Sequence, residues 1–180
     1  MFNVLSIIFI PILGALALSV MPKKFKAGFS VLLLSIAFIL SIVSIFALVS
    51  SKEIIYSKPV NSWFNLSFAA DGLSIFMAVV SLFIALLISV FSLQYFKEPQ
   101  EKAYFYFWIT LCAGAVMGVF FSSNLVLLCL FWEIISICAW KLAGFYKKES
   151  DIQAAYKVFF VNILGTVLML AGIILLYRAK

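Results

Sequence analysis

Glu133 lies inside an apolar stretch, Leu125 to Ala139, with no other charged side chain between Lys102 and Lys141. A carboxylate near the middle of a bilayer costs about 3 kcal/mol on insertion-based scales and about 10 or more in simulations. A group held at that cost is suited to taking up and releasing a proton. Two amines could share the task. Lys141 stands eight residues further along, and Lys157 sits at similar depth in the next apolar segment. Eight helical residues span roughly 12 Å, too far for direct pairing. At an effective dielectric near 20, charges about 12 Å apart still interact by about 1.4 kcal/mol, so a proton at one site biases the other about tenfold. Water between them would make a relay. The plainer readings are that both lysines snorkel to the interface and that Glu133 is a protonated acid bonding helices together.

These readings need a bilayer, and the composition supplies one. Of 180 residues 66% are hydrophobic and only 11% charged, where a soluble domain is about a quarter charged. Six segments can cross roughly 30 Å of hydrocarbon at about 1.5 Å per residue. They are Asn3 to Met21, Ala27 to Val49, Gly72 to Phe96, Ala103 to Phe121, Leu125 to Tyr146 and Ala154 to Tyr177. The fourth and fifth form one nearly continuous apolar run, divided at Ser122-Ser123-Asn124 because those side chains suit a turn and a helix start. Continuous apolar stretches lack the alternation of barrel strands. The sequence therefore predicts an all-α membrane protein, a bundle of six transmembrane helices in one domain over residues 1–180. The connection from Ser50 to Ala70, with Pro59, Asn61 and Trp63, has room for an interfacial element.

Orientation follows from Lys and Arg. Lys23, Lys24, Lys26, Lys97, Lys102, Lys147 and Lys148 fall in the first, third and fifth loops, against Lys52, Lys58, Arg178 and Lys180 on the other side. This places the odd loops in the cytoplasm of a prokaryote and both termini outside its plasma membrane. The same bias accounts for the net charge of +6 without nucleic acid. The first helix is expected to stay uncleaved, because its positive cluster follows the apolar stretch. Histidine is absent, which removes histidine-held haem, most zinc sites and histidine-based triads from this chain. Cys112, Cys129 and Cys138 are too few and wrongly spaced for an iron–sulfur cluster. No cofactor or metal is expected on the chain, so any iron–sulfur, flavin or nickel centre belongs to partner subunits.

At 100° per residue, Cys129, Ser136, Trp140 and Gly144 fall within about 60° of Glu133. This stripe of small and hydrogen-bonding groups predicts that Glu133 faces other helices or a hydrated cavity rather than lipid. Gly114 and Gly118 make a G-x-x-x-G step that would let a neighbouring backbone approach closely. Asp71 before Gly72-Leu73-Ser74 reads as an N-cap. Asn162, Gly165 and Thr166 could bond across helices or line water, with packing as the plainer use.

The order of these marks resembles a known family. Asp71-Gly72-Leu73-Ser74, Ser123-x-Leu125, Phe131-Trp132-Glu133, Gly144-Phe145-Tyr146 and Ala154-Ala155-x-Lys157 are similar to the antiporter-like subunits of respiratory complex I, Mrp-type cation/proton antiporters and membrane-bound energy-converting hydrogenases. The resemblance assigns Glu133 to a proton pathway. It also implies about fourteen helices in two inverted repeats and a channel lysine on a broken seventh helix. The expectation is therefore the first, six-helix part of such a subunit, its pathway completed by another polypeptide, or a chain that keeps the fold without pumping. Three functions follow. The first is an ion-translocating subunit, for H⁺ or linked to Na⁺, working with other membrane subunits of a redox-driven or Mrp-like complex. The second is a structural or assembly subunit of such a complex, and the third a small homo-oligomeric transporter.

Overall fold

The computed structural model describes residues 2–50, 54–61, 64–146 and 148–179. Lys52, Trp63, Lys147 and Lys180, used above for the loops, lie outside these. Six helices and a hairpin follow in the order α1 Phe2–Val20, α2 Lys23–Ser50, β1 Ile54–Asn61, β2 Phe64–Ala70, α3 Gly72–Tyr95, α4 Pro99–Phe121, α5 Leu125–Ala143 and α6 Glu149–Ala179. Five of the helices are long and apolar enough to cross a membrane, α1 being the shorter one. The all-α membrane bundle read from composition is thus the observed architecture.

Local chemistry sets the helix ends. Pro99 opens α4 at a position whose N–H would have no helical partner. α6 starts at Glu149 rather than at Ala154, with Glu149 and Asp151 in its first turn, where acidic groups meet the positive end of the helix dipole. Ser122 closes α4 and Asn124 caps α5, its Oδ1 accepting the Val126 N–H at 2.9 Å.

Asp71 caps α3. Its carboxylate accepts the Ser74 N–H at 2.8 Å and the Ser74 hydroxyl, while the Asp71 N–H donates back to Ser74 Oγ at 3.2 Å. These bonds, the hydroxyl's foremost, hold the Asp71 carboxyl below its ordinary value of 3.8. A depressed acid stabilises the fold fully above its unfolded pKa, and that contribution fades as pH falls through the lower folded value. Asp71→Ala is expected to cost about 1 kcal/mol, lowering the thermal midpoint in detergent by about 2–4 °C near neutral pH. The gap between variant and parent should close on acidification below about pH 4.

α4 occupies the centre, against α1, α2, α3 and α5, whereas α6 packs chiefly on α5. Small residues make the central crossing possible. A Cβ on Gly114 would sit 2.6 Å from Ile12 Cγ1 and 3.0 Å from the Ile12 backbone nitrogen, so α1 and α4 touch backbone to backbone there. A Cβ on Gly118 would run into the Phe131 ring of α5. The two glycines of the G-x-x-x-G step thus serve two different neighbours. Hydroxyls fill the remaining polar places. Ser30 and Thr110 share a buried hydrogen bond, Thr110 Oγ1 is 2.6 Å from the Tyr106 carbonyl, and Tyr106 Oη donates to the Ser89 carbonyl at 2.7 Å. In hydrocarbon such groups find protein partners because water is not at hand.

The hairpin β1–β2 pairs antiparallel from Ile54↔Ala70 to Asn61↔Phe64, with an irregularity between Pro59 and Asn61. It occupies the connection between α2 and α3. Phe68 is fully buried, its ring 6.4 Å from Phe9 and 6.3 Å from Phe131. The Ser123 N–H donates to the Ser67 carbonyl at 3.0 Å, which ties the hairpin to the turn between α4 and α5.

Candidate functional site

α5 presents one face to α6. The Trp140 and Phe159 rings lie 4.9 Å apart, and a Cβ on Gly144 would meet the Ala155 Cβ at 3.2 Å. Both contacts belong to the stripe that holds Glu133, so the stripe meets α6. Glu133 is half-buried, and its Oε1 is enclosed without a hydrogen-bond partner. An enclosed carboxyl oxygen left unsatisfied costs about 1–3 kcal/mol or more.

The antiparallel pairs Trp140–Phe159 and Gly144–Ala155 fix the register of α5 on α6. Seven residues from the first pair, nearly two whole turns on each helix, Glu133 comes level with Thr166. Thr166 is 8% exposed, and its Oγ1 is also buried without a partner. Asn162, one turn away on α6, is half-buried, whereas Gly165 is exposed with open space where a Cβ would be.

The two lysines part company. The Lys141 Nζ lies 3.9 Å from the centroid of the Trp140 ring, a cation–π arrangement. Around it Tyr104, Trp140, Gly144, Ala155 and Tyr156 line a cavity of about 270 Å³. Lys157 stands at the depth of Leu142, close to that of Lys141, but is exposed. Nine residues from Thr166, it points about 180° away from the α5-facing side of α6. Lys141 therefore shares a helix face boundary with the stripe, and Lys157 does not approach Glu133. Among the described residues, no group of three or more His, Cys, Asp or Glu side chains could hold a metal ion.

The bonds that join Ser30 to Thr110, Thr110 to the Tyr106 carbonyl and Tyr106 to the Ser89 carbonyl, like the hairpin, had no distinctive mark in the sequence. Serines and threonines at such positions are common, and their burial depends on which helices meet.

Two family models match the chain, "NADH-Ubiquinone oxidoreductase (complex I), chain 5 N-terminus" over residues 59–106 and "NADH:quinone oxidoreductase/Mrp antiporter, TM" over residues 122–180. Subunit A1 of the Na(+)/H(+) antiporter of Staphylococcus haemolyticus is 28% identical over 96% of the chain and 22% of its own length. The chloroplastic NAD(P)H-quinone oxidoreductase subunit 5 of Piper cenocladum is 32% identical over 93% of the chain and 24% of its own length. The chain thus spans under a quarter of these relatives. In fold, a chain of the Mrp complex from Dietzia sp. superposes with a TM-score of 0.81 over 95% of this chain and 19% of that one, at 17% identity. Matched by two models over residues 59–106 and 122–180, and by relatives along nearly its whole length, this chain belongs to the antiporter-like subunit family of NADH:quinone oxidoreductases and Mrp antiporters.

Proposed function

We propose that this chain forms part of an ion-translocating membrane subunit that moves H⁺, alone or linked to Na⁺, within a redox-driven or Mrp-like complex. Glu133 is the protonatable group of its pathway. The observation that carries this reading is the enclosed Oε1 of Glu133, without a partner, on the face where α5 meets α6. A carboxyl group tolerated there has a use that compensates its cost. The names of the relatives agree, one being an antiporter subunit and the other a quinone oxidoreductase subunit.

In this reading Lys141 is the electrostatic neighbour on the cytoplasmic side. Lys157, on the opposite face of α6, serves whatever polypeptide packs there. Other membrane subunits complete the pathway and carry any iron–sulfur, flavin or nickel centre. The setting is the plasma membrane of a prokaryote, with both termini outside. Glu133→Gln in the assembled complex is the direct test, with coupled proton movement lost and assembly kept. Lys141→Met is expected to slow proton movement by no more than about tenfold, the size of a single charge effect at about 12 Å. Dye-reported acidification of vesicles measures both.

A further inference from the structure

We propose that Thr166 is the positioning residue for Glu133, the two side chains holding one shared water molecule across the α5–α6 interface. Three observations converge on this pair. Glu133 Oε1 and Thr166 Oγ1 are both enclosed and both lack a protein partner. The register set by Trp140–Phe159 and Gly144–Ala155 brings them level on facing sides of two antiparallel helices. Because α6 packs chiefly on α5, the burial of Thr166 to 8% exposure is burial against the helix that carries Glu133.

A threonine hydroxyl inside a helix usually satisfies itself on the carbonyl four residues back. Ser44, Ser92 and Thr110 do so in this bundle, and Thr166 does not. Ser89 Oγ in α3 is likewise unpartnered, but Thr166 Oγ1 lies on the helix packed against α5. Glu133 Oε1 and Thr166 Oγ1 make no hydrogen bond to each other or to any other protein atom, which suits a bridging water. A buried water typically makes two to four hydrogen bonds, and a carboxyl oxygen with a hydroxyl supplies the first two. The bridge costs no new charge and gives Glu133 a donor that can pass a proton on. Thr166 would thereby orient the group that exchanges with Glu133 without touching the ion's wider route.

This inference rests on the proton-pathway reading for its consequence, and its test separates the two. In the assembled complex in proteoliposomes, the vibrational band of the Glu133 side chain is identified by its loss in Glu133→Gln. Thr166→Val, which keeps the shape and removes the hydroxyl, should shift that band. It should also slow proton movement about tenfold to a hundredfold, as expected for one charge-assisted hydrogen bond. Thr166→Ser, which restores the hydroxyl, should return both to near the parent values. An unmoved band in Thr166→Val overturns the bridge. Equal loss in the Val and Ser variants overturns it too, since the hydroxyl that serine retains would then make no difference. If Glu133→Gln keeps full proton movement, the pathway reading fails while the band shift still judges the bridge.

Discussion

Vesicles carrying Glu133→Gln are expected to show at least a hundredfold less coupled proton movement than vesicles with the parent chain, at equal amounts of assembled complex. Glutamine has nearly the same volume as glutamate and can occupy the same place between α5 and α6, so packing is preserved. It cannot take up or release a proton. General acid–base contributions of about 10²–10⁴ disappear with the titratable group, and a buried relay has no parallel route through bulk water. A protonophore added afterwards should collapse the remaining gradient equally in both samples, which separates lost pumping from leak. Glu133→Asp should fall between, since the shorter side chain keeps the proton but withdraws it from Thr166. Full movement in Glu133→Gln with intact assembly would make the chain a structural member of its complex.

The second large effect is on folding. Gly114→Leu is expected to abolish recovery of folded protein from the membrane, read as the fraction that stays monodisperse after detergent extraction. The obstacle is main chain. A Cβ at this position meets the Ile12 backbone nitrogen at 3.0 Å and Pro11 Cβ at 3.2 Å, and neither can rotate away. Pro11 is itself inside α1 and fully buried, so it has no open space to move into. Overpacking ordinarily costs about 1–3 kcal/mol, and separating two helices along their contact costs more. Gly118→Ala should also lower recovery, because a Cβ there would run into the Phe131 ring, which is buried and packed against Phe68.

The sequence announced the bundle and much of the site because the informative quantities were local. Apolar length gave the helices, and the polar triplet Ser122-Ser123-Asn124 marked the turn between α4 and α5, where both caps are found. The 100° progression along α5 placed Cys129, Ser136, Trp140 and Gly144 with Glu133, and the structure turns Trp140 and Gly144 of that stripe onto α6. What escaped was relational. The side of α6 that carries Lys157 can be known only when the register against α5 is known, and depth alone made it look like a companion of Glu133. Thr166 was visible as a residue type and not as an unpartnered one, since satisfaction is a property of neighbours. The hairpin hid for a similar reason. Ile54 to Asn61 includes Pro59, which weakens a strand signal, and it is held by pairing with Phe64 to Ala70.

The bond from Ser123 to the Ser67 carbonyl has a mechanical consequence. It stitches the start of α5 to the hairpin between α2 and α3, so that end of the helix is a fulcrum. Any rocking of α5 then grows with distance along it. Glu133 lies about 12 Å from Leu125 and Lys141 about 24 Å, so a given tilt sweeps the amine through twice the arc of the acid. The carboxyl end of the lever stays near its seat on α6 while the lysine end swings, and a small rigid-body movement can alter the spacing between Lys141 and the Tyr104 and Tyr156 side chains around it without unseating the acid.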